Sequence, residues 1–230
     1  NQNSAIAQKP GAQILVKQSA QTPWKPDITF PAKTVRVNCL KSLVFHRDSA
    51  GKKLSQPDTL LIADIGGLFL ATRNDNSNTW DIHSPLPAAV ATNSYFRTMT
   101  VHADSIAQRQ YIFVGTDDGR VFRGAYEAGA VGKISWQQTP VLQAGSEKRC
   151  HGSAVVNGRC YVSIGIDPAI PDKGGLFRRV DGENPSWEVI YRWTIEDPRF
   201  KTGLRSLTAI KHPGGNNYQV LLCSREHPGV

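Results

Sequence analysis

The chain has no long hydrophobic run: its purely apolar stretches span a few residues at most, whereas a helix that crosses a membrane needs about 20. No such helix is expected. Nor does any segment sustain an apolar period of 3.6 residues, so little helix of any kind is expected. Cys-x-x-Cys and His-x-x-x-His spacings are missing and the six His are scattered, which removes the usual frames for a transition-metal site. The Gly-Gly pairs at 66–67, 174–175 and 214–215 lie between apolar segments and open no helix, so they form no phosphate-cradling loop. No metal and no cofactor is expected. Acid is the charge in short supply, with 19 Asp and Glu against 27 Lys and Arg and a net charge of +8, a surplus that attracts anionic partners over long range. No helix-turn-helix, zinc-finger or aromatic RNA-binding signature accompanies it, so nucleic acid is disfavoured. Methionine occurs once, and an Asn-x-Ser/Thr sequon with x other than Pro nowhere, in the 230 residues. With an opening Asn and ample Asn, Thr and Gly, the chain reads as a processed or excised β-protein, secreted or periplasmic. At 40% hydrophobic and 20% charged it can bury a sizeable core.

What is present is a repeat. Four times a basic residue opens a short apolar run, as Lys41-Ser-Leu-Val-Phe, Arg97-Thr-Met-Thr-Val, Arg149-Cys-His-Gly-Ser-Ala-Val and Arg205-Ser-Leu-Thr-Ala-Ile, at intervals of 56, 52 and 56 residues. A second apolar segment follows in each unit, at 59–63, 111–114, 160–163 and 219–223, and each ends in an acid-bearing turn. Third segments follow at Leu68-Phe-Leu70, Val121-Phe-Arg123 and Leu176-Phe-Arg178, and Trp80, Trp136 and Trp187 mark the fourth. Short strands broken by Gly and Asp turns fit antiparallel sheet. In the first unit they are expected near 38–46, 59–63, 68–72 and 79–83.

Self-similarity at this period, built from β-segments alone, reads as an all-β β-propeller whose blades are four-stranded sheets around a channel. About four blade repeats of 52–56 residues start near 38, 94, 147 and 203. Residues 1–10 read as a mobile tail, and residues 11–230 as the repeats. Gly11 precedes Trp24 by the separation of Gly67 from Trp80, so the hairpin at 11–30 is expected to complete a blade as its third and fourth strands. The last repeat is incomplete. The chain is therefore expected to be part of a larger propeller, with a second chain as one way of completing it. The alternative is a closed four-bladed ring in which the hairpin completes the last unit and removes a sheet edge.

Asn157-Gly158 is a strong two-residue hairpin signal, placing Val156 opposite Arg159, Val155 opposite Cys160 and Cys150 opposite Gly165. Cys150 would then sit about 16 Å along the hairpin from Cys160, too far for a disulfide. Cys39, Cys150 and Cys223 fall near one end of their strands, so bridges between neighbouring blades and buried free thiols both remain open.

One hairpin carries a family resemblance. Asp75-Asn-Ser-Asn-Thr-Trp80 resembles the Asp-box of BNR-repeat propellers, with Ser77 at the pattern's Gly and Arg73 at its Ser or Thr, while Ile134-Ser-Trp136 and Pro185-Ser-Trp187 keep only the tryptophan. The chain is similar in this respect to sialidase-like and sortilin-like propellers. The resemblance implies that the Asp caps turn amides, that the Trp packs between sheets, and that the box lies away from the functional face. Sialidase chemistry would further require a carboxylate-binding Arg cluster, a general acid and a tyrosine nucleophile. The Phe-Arg-Ile-Pro motif is missing and no tyrosine matches the nucleophile.

Because successive strands are antiparallel, the start of each first strand and the end of each second share one face. Lys41, Arg97, Arg149, Arg205 and Arg225 are thus expected around one channel mouth, near Asp64, Asp117, Asp118, Asp167 and Glu226. Arginines there can converge on a carboxylate, sulfate or phosphate through paired charge-assisted hydrogen bonds, or each can pair with an acid and clamp the ring. Two function classes follow. One is a binding or interaction module for an anionic small molecule, a glycan or a protein. The alternative is a glycoside hydrolase or lyase acting on an acidic sugar, with Asp64, Asp117 and Asp118 as candidate catalytic carboxylates.

Overall fold

The computed structural model describes residues 13–16, 19–29, 37–43, 59–64, 67–74, 76–77, 79–83, 95–104, 109–127, 133–143, 149–165, 174–180, 186–192, 204–211 and 218–224. Every regular element among them is a strand: β1 (Gln13–Val16), β2 (Lys25–Thr29), β3 (Val37–Ser42), β4 (Thr59–Asp64), β5 (Gly67–Asn74), β6 (Thr79–His83), β7 (Phe96–Asp104), β8 (Arg109–Thr116), β9 (Arg120–Glu127), β10 (Ser135–Trp136), β11 (Leu142–Gln143), β12 (Cys150–Val156), β13 (Arg159–Ile164), β14 (Gly175–Val180), β15 (Ser186–Arg192), β16 (Leu204–Lys211) and β17 (Tyr218–Ser224). The protein is all-β, and the four strands expected in the first unit are found as β3 to β6.

The sheets are antiparallel meanders in chain order. β3 to β6 make the first sheet, β7 to β10 the second with β11 also on β9, and β12 to β15 the third; β1–β2 and β16–β17 are two-stranded. Local sequence explains the reversals. Asn157 and Gly158 adopt φ of 48° and 73°, the left-handed pair that a tight hairpin requires and that Asn and Gly tolerate. Val156 lies opposite Arg159 and Val155 opposite Cys160, as the spacing predicts. Cys150 instead pairs with Ile164, one residue from the expected Gly165, because a bulge interrupts β12. Cys39, Cys150 and Cys160 are free thiols; the side chain of Cys223 lies outside the described residues.

Apolar faces meet sheet to sheet. Ile28 of the β1–β2 hairpin packs with Ile62 and Ala71 of the first sheet. Leu43, Leu61, Ala63, Leu68 and Leu70 of the first sheet meet Phe96, Met99, Ile112, Val114 and Tyr126 of the second. Phe113 and Val121 of the second sheet meet Cys150, Cys160, Val162, Ile164 and Phe177 of the third. At roughly 1.5–3 kcal/mol for each fully buried large side chain, these interlayers dominate the favourable side of folding. The first strands also lie side by side, β3 against β7, β7 against β12 and β12 against β16. β3 and β16, the ends of this row, do not share the close packing of these pairs among the described residues.

The tryptophans pack between sheets but are half-buried. Trp80 contacts the hairpin cluster, Trp136 the interlayer of the first and second sheets and Trp187 that of the second and third. Each sits on the side of the preceding sheet. In the turn before Trp80, the side-chain oxygen of Asn74 accepts from the amides of Asn76 (3.1 Å) and Ser77 (3.3 Å). Asp75, the residue the box pattern assigns to such a cap, lies outside the described residues. Trp80 Nε1 donates to Asp27 at 3.0 Å, and Arg73 stacks over its ring 5.7 Å from the centroid. The hairpin of 11–30 is found as β1 and β2, but Trp24 is 62% exposed.

Candidate functional site at the bulged first strands

Every first strand carries one extra residue near its start. The register shifts between Val37 and Cys39, between Phe96 and Thr98, between Cys150 and Gly152, and between Leu204 and Ser206. The inserted residues are Asn38, Arg97, His151 and Arg205, at intervals of 59, 54 and 54. A bulge leaves its extra residue out of the ladder and bends the strand. The local sequence suits this: an apolar residue anchors, a polar one is displaced, and a small one resumes pairing. Phe96 and Cys150 are buried anchors, and Val37 and Leu204 hold the same place.

This register decides which basic residues are equivalent. Arg97 and Arg205 occupy matching bulges, as the sequence spacing predicts. Lys41 does not, since it lies three residues past the bulge of β3, opposite Leu61, about 10 Å further along the strand. It is exposed and near Cys39, whose thiol pKa is raised by burial while the Lys41 charge pulls the other way. Arg149 precedes its bulge by two residues. Its carbonyl accepts from the Gly165 amide at 3.0 Å, as the Tyr95 carbonyl accepts from Asp117 at 2.9 Å, so Arg149 and Tyr95 are equivalent rim positions, both exposed. Arg225, Asp167 and Glu226 lie outside the described residues, and for Asn38, Asp64 and Arg205 the backbone alone is described.

His151 occupies the matching bulge of β12, a position that the spacing of basic residues misses. It shares the bulge with Arg97 and Arg205, and its ring lies against the glycine that ends the second strand: a Cβ on Gly165 would come within 2.8 Å of its Nε2. The signal that finds it is the apolar-polar-small triplet, Val37-Asn-Cys, Phe96-Arg-Thr, Cys150-His-Gly and Leu204-Arg-Ser. Arg97 is half-buried, with its Nε buried. Directly beyond the bulges the neighbouring first strands touch through hydroxyls, Thr98 Oγ1 and Ser153 Oγ standing 2.8 Å apart.

Asp117 and Asp118, the two expected carboxylates whose side chains are described, are committed to turns. Asp117 accepts from the Tyr95 amide at 3.2 Å. Asp118 binds the Arg120 guanidinium at two nitrogens, 2.8 Å to Nε and 2.6 Å to Nη2, and accepts from the Thr116 hydroxyl. Thr116 Oγ1 in turn accepts from the Arg120 amide at 3.1 Å, and Gly119 supplies the left-handed turn residue at φ 79°. Burial pushes the Asp118 carboxyl upward, but the hydrogen bonds from Arg120 and Thr116 and the Arg120 charge together hold it below the ordinary carboxylate value. A carboxyl so held is a poor general acid at neutral pH. Cys150, beneath the bulge of β12, is pushed up to about 12, chiefly by burial, so it stays a thiol. Among the described residues no three His, Cys, Asp or Glu come together to hold a metal.

The bulges therefore place Arg97, His151 and Arg205 at matching backbone positions on adjacent strands, with Tyr95 exposed nearby and Asp117 and Asp118 held in turns. The chain matches no family model and no curated protein sequence.

Proposed function

We propose that this chain is an arc of a β-propeller and a binding module, with Arg97, His151 and Arg205 engaging one anionic group at the channel mouth. The observation that carries this reading is the bulge recurring in phase on four first strands, three of which insert a residue able to be cationic there. A carboxylate, sulfate or phosphate with several oxygens suits such a set, because guanidinium groups donate paired hydrogen bonds and a protonated imidazole adds charge. An acidic glycan provides such groups, and Tyr95 at the rim provides a surface for a sugar ring. The engagement of Asp117 and Asp118 in turns favours binding over hydrolysis, which needs a carboxyl pair free to exchange protons.

The test is calorimetric titration with a sulfated or sialylated oligosaccharide. Arg97→Ala is expected to weaken binding by roughly 10- to 100-fold, the worth of a charge-assisted contact, and His151→Ala to weaken it as well. Lys41→Ala should leave it unchanged. Equal losses in Arg97→Ala and Lys41→Ala, or none in either, would refute the assignment.

A further inference from the structure

We propose that Tyr95, Asp117 and Arg149 form a sugar subsite on the rim between the second and third sheets, one that takes a neutral pyranose next to the anionic group. This rests on the anion-binding reading and names the class of ligand: an oligosaccharide in which an acidic sugar has a neutral neighbour, rather than a lone acidic sugar or an inorganic anion.

Three elements bring these residues together. Tyr95 stands at the entry to β7 and is tied to the turn between β8 and β9 twice: its carbonyl accepts from the Asp117 amide at 2.9 Å, and its amide donates to Asp117 Oδ1 at 3.2 Å. The start of β12 lies against the same turn. Cys150 Sγ donates to the Arg120 carbonyl at 3.5 Å, and a Cβ on Gly115 would fall 2.6 Å from the Cys150 Cβ. The charges of Asp117 and Asp118 reach the Cys150 thiol as well, adding to the upward push of burial. Arg149 directly precedes Cys150, so it enters the rim beside this turn, two residues and about 7 Å along the strand from the His151 bulge.

Each of the three is fixed at its backbone and available at its side chain. The Arg149 carbonyl is held by the Gly165 amide, while its guanidinium has no hydrogen bond or ion pair among the described residues, and neither has Asp117 Oδ2. Tyr95 is 47% exposed, Arg149 is exposed and Asp117 is half-buried. Asp118 differs, because its carboxylate is occupied by Arg120 and Thr116. An aromatic face, a carboxylate and a guanidinium together suit a sugar. A hydroxyl both donates and accepts, so neighbouring hydroxyls on one ring can donate to Asp117 and accept from Arg149. Charge assistance strengthens both bonds, and the Tyr95 ring covers the apolar face of the sugar. A second sulfate, phosphate or carboxylate is disfavoured on the rim, since the Asp117 charge repels it. The anion thus belongs at the bulges and the neutral sugar at the rim.

Calorimetric titration with sulfated galactose and sulfated lactose tests this, the sulfate being on the galactose in both, so that only the second probe adds a neutral sugar. The unsubstituted chain is expected to bind sulfated lactose about 10-fold more tightly or better, the worth of a hydrogen bond to a charged group. Tyr95→Ala, Arg149→Ala and Asp117→Asn should each remove most of that gain, leaving sulfated galactose within about twofold and the melting temperature within a few degrees, as surface substitutions do. Asparagine at 117 keeps an oxygen for the Tyr95 amide. Equal binding of the two probes overturns the subsite, as do a gain that survives all three substitutions, losses that fall alike on both probes, or no binding of either probe. Arg97→Ala keeps the two readings apart. If it weakens both probes while the rim substitutions change neither, the anion site stands and the subsite falls. If it changes neither probe while the rim substitutions remove the gain, the assignment of Arg97 falls and the subsite stands.

Discussion

The inner and outer halves of the repeated sheets obey different rules. In the inner halves the bulge falls at the same point in four first strands, and the strands touch one another along the row. In the outer halves the tryptophans do not share a register. Trp136 lies opposite Gly124 and Trp187 opposite Arg179, which are equivalent positions, whereas Trp80 lies opposite Arg73, two residues further out. Even the equivalent pair is packed in two ways. Gly124 lets Trp136 lie flat on β9, since a Cβ there would come within 3.0 Å of the indole. Arg179, only 6% exposed, stacks over Phe113 instead, 5.4 Å from its centroid, and Trp187 meets the same ring edge-on at 6.3 Å. Crowding of the first strands permits one backbone solution; the wider gap between outer strands permits several side-chain solutions.

This contrast ranks the effects of substitution. Phe96→Ala removes a buried inner anchor and should cost about 3 to 5 kcal/mol, lowering the melting temperature by roughly 10 °C. Trp80→Ala and Trp187→Ala, at half-buried outer positions, should cost about 2 kcal/mol each, below the range for fully buried aromatics. If thermal melts show the outer substitutions costing as much as Phe96→Ala, the distinction between halves fails.

A smaller effect follows from Asp118. Its folded carboxyl titrates below the ordinary value of about 3.9, so its stabilisation is complete above that pH and fades as pH falls through the lower folded value. Asp118→Asn should cost about 0.5 to 1 kcal/mol at pH 7, given the pair's solvent screening. The gap from wild type in melting temperature should close below about pH 4. A gap that persists at pH 2 would show that the carboxyl's charge is not what the turn uses.

The smallest effect is kinetic. Cys150 is buried and remains a thiol, so alkylation of the native protein should leave it unmodified until the third sheet opens. Rapid native labelling of Cys150, read by peptide mass spectrometry, would contradict its place beneath the bulge.

The strands and their antiparallel sheets were legible because their signals are local. Asn157-Gly158 fixes one hairpin, acid and glycine turns mark others, and strand-length apolar segments recur at a nearly constant interval. The bulge positions were half legible. Spacing between basic residues finds Arg97 and Arg205, but it sets Lys41 and Arg149 beside them because a bulge adds a residue to the strand without changing its polarity pattern. His151 escaped for the same reason: it is not a fixed cation, and its bulge shows only when the flanking residues are aligned as apolar anchor and small successor. Trp24 matches Trp80 in spacing yet is exposed, since burial depends on a neighbouring sheet that no local pattern encodes.

The most direct test of the account is whether neighbouring first strands stand side by side with their bulges in phase. Thr98 and Ser153, each next to or just beyond its bulge, bring their hydroxyls to 2.8 Å. With both replaced by cysteine, mild oxidation is predicted to join positions 98 and 153 within one chain, seen by peptide mapping as a linked pair that reduction releases. Failure of that pair to form, or its replacement by a link from position 98 to Cys39 alone, would contradict the in-phase arrangement.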